Sequence, residues 1–266
     1  MDAWLKSSAA DLGRDIGAGK IDPVDLTDAF LAAIDGHAFG KRIYARAMPE
    51  RAQAEARTAS ERAKAGTRRG PLDGVPVSWK DLFDTAGAGT EGGTALLNGR
   101  VPEKDADVVA GASARGLVSL GKTHMSELAF SGLGLNPVTE TSPNIHDPDL
   151  LPGGSSSGAG SSVAYGLAPL AIGSDTAGSV RIPAAWNDLV GLKTTHGFLS
   201  TKGVLPLCAR FDTVGPLARS VEDASLAYTA LVGPDTDLTG TDLRGKRFLV
   251  LEGTVLTELD QPVASK

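Results

Sequence analysis

The sequence predicts an α/β fold, and three observations lead to it. After Pro71, short apolar runs alternate with glycine-rich turns and helical stretches, which is typical of a sheet with helices packed on it. A chain of 266 residues can bury about 70–75% of its unfolded surface, which is enough for a large core. Its 33 glycines and 15 prolines, against 5% aromatic residues, indicate many tight turns of the kind that active-site loops need.

Residues 1 to about 65 are predicted to be helical, and residues 1–70 to form an N-terminal helical region that packs on the core. Asp22 followed by Pro23 is typical of an N-cap and the first position of a helix. The apolar stripe behind this cap consists of Val24, Leu26, Phe30, Leu31 and Ile34. Residues 47–65 are rich in Ala, Glu and Arg and carry little apolar surface, which predicts a surface helix that covers other elements.

Residues 71–266 are predicted to form the α/β core, and the whole chain to form one domain. The predicted strands are residues 75–79, 117–122, 168–174 and 247–253, and the predicted helices are residues 105–116 and 157–166. Few residues follow the last predicted strand, so this strand would be left either as an exposed edge of the sheet or without a neighbouring strand to pair with. We therefore expect the fold to be truncated at its C-terminus.

Charge and composition argue against several classes of function. Lys and Arg total 26 against 32 Asp and Glu, and the net charge of -6 repels phosphate backbones and anionic lipid. Cys208, the one cysteine, allows no intramolecular disulfide, and we expect it to be buried packing. The four histidines lack metal-ligand spacing, so the sequence predicts no metal site.

The sequence predicts neither a targeting segment nor a membrane segment. The first residues lack a basic start followed by an apolar run, and no apolar stretch approaches about 18 residues. We therefore expect a cytoplasmic protein that binds no membrane and does not bind nucleic acid directly.

Three stretches match known motifs but lack their structural context. Residues 116–123 fit the P-loop pattern, yet a helix precedes them and an apolar run stands between the glycines. Residues 87–92 fit a dinucleotide fingerprint without a strand before or a long helix after. Residues 154–158 fit a nucleophile elbow, but no strand precedes them and only His196 follows as a base. A nucleotide-binding switch at residues 116–123 stays as a minor alternative.

A stretch rich in serine holds the candidate chemistry. Seven serines lie between residues 155 and 179, mixed with glycine and alanine. A flexible linker can have this composition, but a linker would not contain a helix and a strand, and both are predicted within this stretch. Nor would it need a lone Asp175 and a lone Arg181 on either side of Ser179. The pattern therefore indicates a structured site.

This stretch resembles the amidase signature family. Residues 153–158 read GGSSSG and residues 173–184 read GSDTAGSVRIPA, which together match essentially the whole signature. The resemblance covers roughly residues 20–235, and further similar segments are residues 70–81 (GPLDGVPVSWKD), 121–127 (GKTHMSE) and 190–194 (VGLKT). It implies a mixed sheet covered by helices on both faces. Because family chains are commonly almost twice this length, it also implies that the C-terminal part of the fold is absent.

The resemblance implies a Ser–cis-Ser–Lys triad. By motif position, Ser179 is the nucleophile, Ser155 the bridging serine that relays a proton, and Lys80 the base. It also implies a cis peptide bond between Gly154 and Ser155. A serine hydroxyl is a weak nucleophile until an adjacent base takes its proton.

A lysine can act as that base only when it is neutral. Its ordinary pKa is about 10.4, so burial must disfavour the ammonium form. The apolar neighbours Val75, Val77 and Trp79 predict such burial for Lys80.

The resemblance assigns supporting roles to residues near the triad. It implies an oxyanion hole made of backbone N–H groups, in which Thr176-Ala177 replaces the Thr/Ile-Gly pair of many members. The residues with implied roles are Thr176, Ala177 and Gly178 in the oxyanion hole, Asp175 and Arg181 as orienting or paired charges, Ser156 and Ser157 as hydrogen-bonding neighbours of Ser155, and Ala129, Phe130 and Ser131 as a wall of the acyl pocket.

The function implied by the resemblance is hydrolysis of a linear carboxylic amide to an acid and ammonia or an amine. It requires an acyl-enzyme on Ser179, a small-molecule amide as substrate, and neither cofactor nor metal. One alternative with the same chemistry is the glutaminase component of a tRNA-dependent amidotransferase. Another is a non-catalytic fragment or binding protein that associates through an unfinished sheet edge. The acyl group, the amine and any homo-oligomer are left open.

Overall fold

The computed structural model describes residues 2–232, 240 and 242–248. By its internal contacts the chain divides into two units, Met1–Thr236 and Asp237–Lys266. The candidate site residues all belong to the first unit.

The second unit is described only in part. Within it, Arg244 Nε and the Asp242 carboxylate form an ion pair at 2.6 Å. Residues 249–253, which complete the predicted last strand, lie outside the described residues.

The first unit contains a six-stranded sheet with helices before, between and after its strands. Its helices are α1 (Asp2–Lys6), α2 (Ala9–Gly17), α3 (Pro23–Gly36), α4 (Gly40–Ile43), α5 (Pro49–Lys64), α6 (Asp107–Ala114), α7 (Ser157–Ala164), α8 (Arg181–Trp186) and α9 (Val221–Val232). Its strands are β1 (Tyr44–Ala47), β2 (Pro76–Lys80), β3 (Val118–Thr123), β4 (Leu170–Asp175), β5 (Val190–Gly191) and β6 (Thr213–Ala218). None of the helices in the described ranges is long and apolar enough to cross a bilayer.

The sheet is mixed, with the strand order β1-β3-β2-β4-β6-β5. β2 runs parallel to both β3 and β4, whereas the other neighbouring pairs are antiparallel. Every residue of β2, β3, β4 and β6 is buried, so both faces of the sheet are covered. These observations confirm the predicted α/β class and the mixed sheet that the resemblance implied.

The main hydrophobic cluster joins the N-terminal helices to the sheet. Leu12 of α2 and Phe30 of α3 belong to the same cluster as Trp79 of β2. The rings of Trp79 and Phe83 meet edge to face, with their centroids 5.5 Å apart. This packing holds β2 in place up to its last residue, Lys80.

The N-terminal region is not entirely helical, and in this respect the prediction is wrong. Tyr44–Ala47 forms the edge strand β1, which pairs antiparallel with β3. Four residues are too few for a period to stand out in the sequence. The close approach of β1 to β3 depends on Gly121 of β3, since a Cβ there would lie 2.5 Å from Arg46 O. The domain boundary near residue 70 stays a prediction.

Two predicted helix ends are confirmed, whereas the helix predicted to begin at residue 105 begins at Asp107. Asp22 is the N-cap of α3, and its Oδ1 accepts a hydrogen bond from Val24 N at 2.9 Å. α6 ends at Ala114, two residues before Gly116, which has a φ of +90°. A Cβ at Gly116 would lie 2.0 Å from Asp73 Oδ1, so only glycine fits this turn.

The P-loop pattern does not form a phosphate-binding loop. Residues 118–123 are the fully buried strand β3. Lys122 points into the protein, where its Nζ donates to Phe83 O at 2.6 Å and to Thr90 Oγ1 at 2.8 Å. The alternative of a nucleotide-binding switch is therefore wrong. Residues 87–92 form turns that lead only into a short 3₁₀ turn, Ala95–Leu97, rather than a long helix.

Cys208 is exposed, so the prediction that it is buried packing is wrong. Its amide donates to Asp212 Oδ1 at 3.0 Å and to Asp212 Oδ2 at 3.1 Å. Its carbonyl accepts hydrogen bonds from the amides of Phe211 and Asp212. The turn is held by its backbone and by the Asp212 carboxylate, and the thiol is left outside the core.

Candidate active site

Two neighbouring parallel strands and the start of a helix meet at one edge of the sheet. Lys80 is the last residue of β2, and Ser174 lies near the end of β4. Because parallel strands end at the same edge, their terminal side chains lie close together. Lys80 Nζ donates to Ser174 Oγ at 2.8 Å and to Ser155 Oγ, just before α7, at 2.7 Å.

Lys80 is a fully buried lysine whose side chain donates only to hydroxyl groups. Its relative exposure is 0%, and in the described part of the chain it forms no ion pair. Burial lowers the pKa of Lys80 to about 7, against the opposing effect of the negative charges of Asp175 and Asp212. A large fraction of Lys80 is therefore neutral at neutral pH, which is the state in which it can accept a proton.

The peptide bond between Gly154 and Ser155 is cis, as the resemblance implied. Ser155 O accepts from Ser126 N at 3.1 Å, and Gly154 N donates to Gly132 O at 2.8 Å. A Cβ at Gly154 would lie 2.6 Å from Gly134 N, so this position has no room for a side chain. Hydrogen bonds to Ser126 and to Gly132 thus hold the backbone around the fully buried Ser155.

Ser179 lies on the segment that faces this backbone. Its carbonyl accepts from Ser156 N at 3.2 Å, and 7% of the residue is exposed. Within residues 2–232 its Oγ forms no hydrogen bond, and none joins it to Ser155 Oγ. The structure therefore brings Lys80 and Ser155 into direct contact and leaves the Ser179 hydroxyl unengaged beside them.

Asp175 and Arg181 form an ion pair on either side of Ser179. The Asp175 carboxylate accepts from Arg181 Nε and Nη2, both at 3.0 Å. It also accepts from Gly178 N at 2.8 Å and from Val180 N at 3.1 Å. Burial alone would raise the pKa of Asp175, but these hydrogen bonds hold it below its ordinary value. The pair shapes the turn that carries Ser179.

The oxyanion-hole role of Thr176, Ala177 and Gly178 stays a prediction, and the amide of Gly178 is engaged within the turn. Its proton is already donated to Asp175 Oδ1. By contrast, the amides of Ala177 and Ser179 have no acceptor among residues 2–232. Ala177 is also exposed, so a ligand could approach its amide. Within residues 2–232 the available donors therefore include the amides of Ala177 and Ser179, and both lie in the segment 176–179 to which the resemblance assigned this role.

Gly178 has a conformational role instead. Its φ is +120°, and a Cβ would lie 2.8 Å from Ile182 Cδ1. We expect Gly178→Ala to lower the free energy of unfolding by about 1–3 kcal/mol in a urea titration. The matched control is Gly111→Ala in α6, where a Cβ meets nothing within 4 Å and stability should rise slightly. Equal effects of the two substitutions would contradict this explanation.

Ser156 and Ser157 are buried and bond to backbone near the site rather than to Ser155. Ser156 Oγ donates to Ser174 O at 3.2 Å, and Ser157 Oγ donates to His124 O at 3.4 Å. Both hydroxyls therefore support the backbone on which the site is built.

The nucleophile-elbow pattern does not produce an elbow. It would make Ser156 the nucleophile, but this residue is fully buried. His196, the base that such a nucleophile would need, is exposed and bonded to Ala209 O. These residues therefore do not form a second catalytic pair.

Ser126 connects the predicted wall of the acyl pocket to Ser155, because its amide donates to Ser155 O. Ser126 Oγ donates to Ser131 O at 3.0 Å. Ala129 is 5% exposed with a φ of +60°, whereas Phe130 is 83% exposed. The assignment of Ala129, Phe130 and Ser131 to an acyl pocket stays a prediction.

Two residues that contact the site were not predicted from the sequence. Ser174 stands in the GSD segment, and the parallel pairing of β4 with β2 could have indicated that it lies beside Lys80. Asp212 is far away in sequence and carries no motif. Only the fold shows that its carboxylate accepts a hydrogen bond from Thr176 Oγ1 at 2.6 Å.

Comparison with known proteins agrees with this geometry. The family model described as Amidase matches residues 25–249. A glutamyl-tRNA(Gln) amidotransferase subunit of Anaeromyxobacter dehalogenans is 40% identical over 232 residues, which are 87% of this chain and 47% of that protein. The corresponding protein of Thermobifida fusca is 41% identical over 240 residues, covering 88% of this chain and 47% of the relative. The chain spans about half the length of the curated relatives it matches.

A solved structure supports the same assignment. The native peptide amidase from Stenotrophomonas maltophilia has a TM-score of 0.80 and 38% identity, over 86% of this chain and 48% of that one. Sequence and fold therefore agree with the resemblance carried by the GGSSSG and GSDTAGSVRIPA segments, and the chain belongs to the amidase signature family.

Proposed function

We propose that this chain carries the catalytic centre of an amide hydrolase that works through an acyl-enzyme on Ser179. The observation that supports it most is the direct contact of 2.7 Å between a buried Lys80, with a pKa near 7, and Ser155. A neutral lysine in contact with a serine can draw a proton through that serine from a neighbouring hydroxyl.

In the proposed first step, Ser179 Oγ attacks the carbonyl carbon of a linear carboxylic amide. The Ser179 proton passes through Ser155 to Lys80 and then back through Ser155 to the departing nitrogen. The new bond joins Ser179 Oγ to the acyl carbon, and the bond that breaks joins that carbon to nitrogen. Water then repeats the step in place of Ser179, which releases the acid and restores the serine.

The negative charge that develops on the carbonyl oxygen needs donors that are already in place. The amides of Ala177 and Ser179 are available for this role, and Asp175 holds the turn between them through Gly178. Loss of a single donor of this kind commonly costs about 100- to 1000-fold in rate. Backbone donors depend on no side chain, so the alanine at position 177 is compatible with activity.

A second candidate function is the glutaminase role in a tRNA-dependent amidotransferase. It is favoured by the names of the curated relatives, which are subunits of glutamyl-tRNA(Gln) amidotransferases. The chemistry at Ser179 would be the same, with glutamine as the amide and the ammonia passed to a partner protein. Stable co-purification of such a partner with the tagged chain would support this role. Turnover of simple amides by the chain alone would support a free amidase.

Intact-mass spectrometry after incubation with a fluorophosphonate tests the proposed nucleophile. We expect one adduct on the wild-type chain and none on Ser179→Ala, because only an activated serine reacts with such a probe. Ser200→Ala is the matched control, since Ser200 is an exposed serine bonded to Asp107. An adduct that persists in Ser179→Ala would reject Ser179 as the nucleophile. A folded wild-type chain without any adduct would favour the non-catalytic binding protein.

Ser174→Ala tests how Lys80 is held. Lys80 Nζ has two hydroxyl partners, and removal of one leaves the amine less well placed towards Ser155. We expect the probe to acylate Ser179 about tenfold more slowly, which matches the loss of a typical hydrogen bond. Ser174→Thr, which keeps a hydroxyl, should recover most of that loss. An unchanged rate in Ser174→Ala would mean that Ser155 alone positions the lysine.

A further inference from the structure

A buried carboxylate outside the signature segments contacts the start of the oxyanion segment, residues 176–179. Asp212, 7% exposed, is the residue directly before β6. Its side chain accepts hydrogen bonds from the amides of Leu207 and Cys208, so it closes the turn that precedes it. Its Oδ1 also accepts the Thr176 hydroxyl at 2.6 Å, the shortest of these contacts. One carboxylate thus joins the 207–212 turn to residue 176.

Thr176 is where the chain leaves β4 and begins the turn that carries Ser179. Asp175 holds the later part of that turn through the amides of Gly178 and Val180. Thr176 Oγ1 attaches the earlier part to the Asp212 carboxylate. The amide of Ala177, unengaged within residues 2–232, lies between these two points of attachment. Its direction is therefore set by both carboxylates together.

The two carboxylates differ in their charge balance. Asp175 is paired with Arg181 at 3.0 Å, whereas Asp212 forms no ion pair in the described residues, although the charges of both raise the pKa of Lys80. The negative charge of Asp212 raises the pKa of Lys80 against the effect of burial. Asp212 therefore acts on the site through a hydrogen bond and also through its charge.

We propose that Asp212 is a positioning residue of the active site, which holds Thr176 and with it the oxyanion segment in place for reaction at Ser179. This inference rests on the proposed acyl transfer at Ser179. Within residues 2–232 Asp212 forms no hydrogen bond with the nucleophile or the lysine, so its effect on the reaction passes through Thr176 and through the electrostatic field.

The charge of Asp212 gives the inference a readout that a purely structural residue would not have. The ionised groups that act on Lys80 are Asp175 and Asp212. On the neighbouring strand β3, Lys122 is paired with Asp81 at 3.4 Å, so its charge is balanced locally. Removal of the Asp212 charge should therefore shift the titration of Lys80 to lower pH.

One further titratable group lies close to β2, at the end of β3. Burial lowers the pKa of His124, which keeps this imidazole neutral near pH 7. A titration observed at Lys80 above pH 7 is therefore not expected to follow a change of charge at His124.

The experiment compares Asp212→Asn, Thr176→Val and Thr176→Ser with the wild-type chain. We measure the rate of Ser179 acylation by a fluorophosphonate from pH 5 to 9, and the titration of the Lys80 side chain by NMR. Asp212→Asn should slow acylation about tenfold or more and move the midpoint of Lys80 down by about half a pH unit or more. Thr176→Val should slow acylation without moving that midpoint, because the charge remains. Thr176→Ser should recover most of the rate lost in Thr176→Val.

Asp188→Asn is the matched control, because Asp188 is an exposed aspartate at a φ of +55° that asparagine tolerates. It should leave both readouts at their wild-type values. Asp212→Asn and Thr176→Val rates within twofold of wild type, with no shift of the Lys80 midpoint, would overturn the inference.

Two further outcomes keep the inference separate from the proposed function. If the wild-type chain acylates but Asp212→Asn fails to fold, the comparison of Thr176→Val with Thr176→Ser decides the positioning role. If the wild-type chain does not acylate at all, the proposed function fails, and the positioning role fails with it. A Lys80 midpoint that is still lower in Asp212→Asn would then show only that the carboxylate acts on the lysine.

Discussion

Ser179→Ala is expected to abolish amide hydrolysis while it leaves the fold unchanged. In serine hydrolases the loss of the nucleophile costs about 10⁶-fold in turnover, and the remaining rate comes from transition-state binding alone. The Ser179 hydroxyl forms no hydrogen bond among residues 2–232, so its removal breaks no native contact of that kind. We therefore expect the free energy of unfolding to change by less than about 0.5 kcal/mol.

Ammonia release and thermal unfolding measure the two parts of this prediction separately. Ser200→Ala serves as the control for both, since it removes a hydroxyl from an exposed position away from the site. Residual turnover above about one per cent of wild type would show that another group attacks the carbonyl. A large drop in melting temperature would show that Ser179 has a structural role, and the loss of activity could then no longer be assigned to chemistry.

The residues proposed as nucleophile, relay and base could be predicted from the sequence because the family resemblance rests on local segments that contain them. Residues 153–158 and 173–184 specify backbone turns that need small residues, and such turns leave a clear pattern. The end of β2 could also be predicted, since the apolar run before Lys80 is typical of a buried strand. The contact between Lys80 and Ser174 then follows from parallel strands that end at one edge of the sheet.

Contacts between distant segments could not be predicted in this way. Asp212 meets Thr176 because β6 pairs with β4, a register that no periodicity in either strand encodes. The use of the Gly178 amide by Asp175 depends on the path of a turn rather than on residue type. Cys208 has apolar neighbours in the sequence, and its exposure follows from how Asp212 closes the turn. Each of these depends on tertiary geometry.

The site thus combines a segment that is specified locally with supports that come from elsewhere in the fold. Asp175 lies within the signature and shapes the turn from inside. Asp212 lies outside it and fixes the same turn across the sheet. Both carboxylates also act against the effect of burial on Lys80, so that its pKa falls near 7 instead of lower. In the proposed mechanism the same two carboxylates therefore set the geometry of the oxyanion segment and the protonation of Lys80 as the base.

Lys80→Met is expected to remove nearly all activity and to change how activity depends on pH. In the wild-type chain the rate should rise with pH to a plateau, with a midpoint near the Lys80 pKa of about 7, because only the neutral amine accepts a proton. In Lys80→Met this step should disappear, and a residual rate at least about 10³-fold lower should rise with hydroxide concentration. Lys104→Met, an exposed lysine, is the control. Wild-type turnover by Lys80→Met at neutral pH would contradict the assignment of the base.

The same substitution should make the chain more stable. Below pH 7 the folded protein carries a buried ammonium group, which burial disfavours; this is why its pKa falls from 10.5 to about 7. Between about pH 7 and 10.5 the unfolded chain binds one more proton at this residue than the folded chain, so wild-type stability rises with pH across that window. Lys122, with a pKa lowered to about 8, adds to the same rise, and the difference between wild type and Lys80→Met isolates the contribution of Lys80.

At neutral pH we expect Lys80→Met to raise the free energy of unfolding by about 1 kcal/mol or more, since one pKa unit corresponds to about 1.4 kcal/mol. Urea titrations at pH 6, 7, 8 and 9 measure the effect, which should shrink as pH rises. A gain of the same size at every pH would mean that packing of the methionine, and not removal of a buried charge, stabilises the chain. A decrease at pH 6 would contradict the burial penalty itself and, with it, the reason that Lys80 can act as a base at neutral pH.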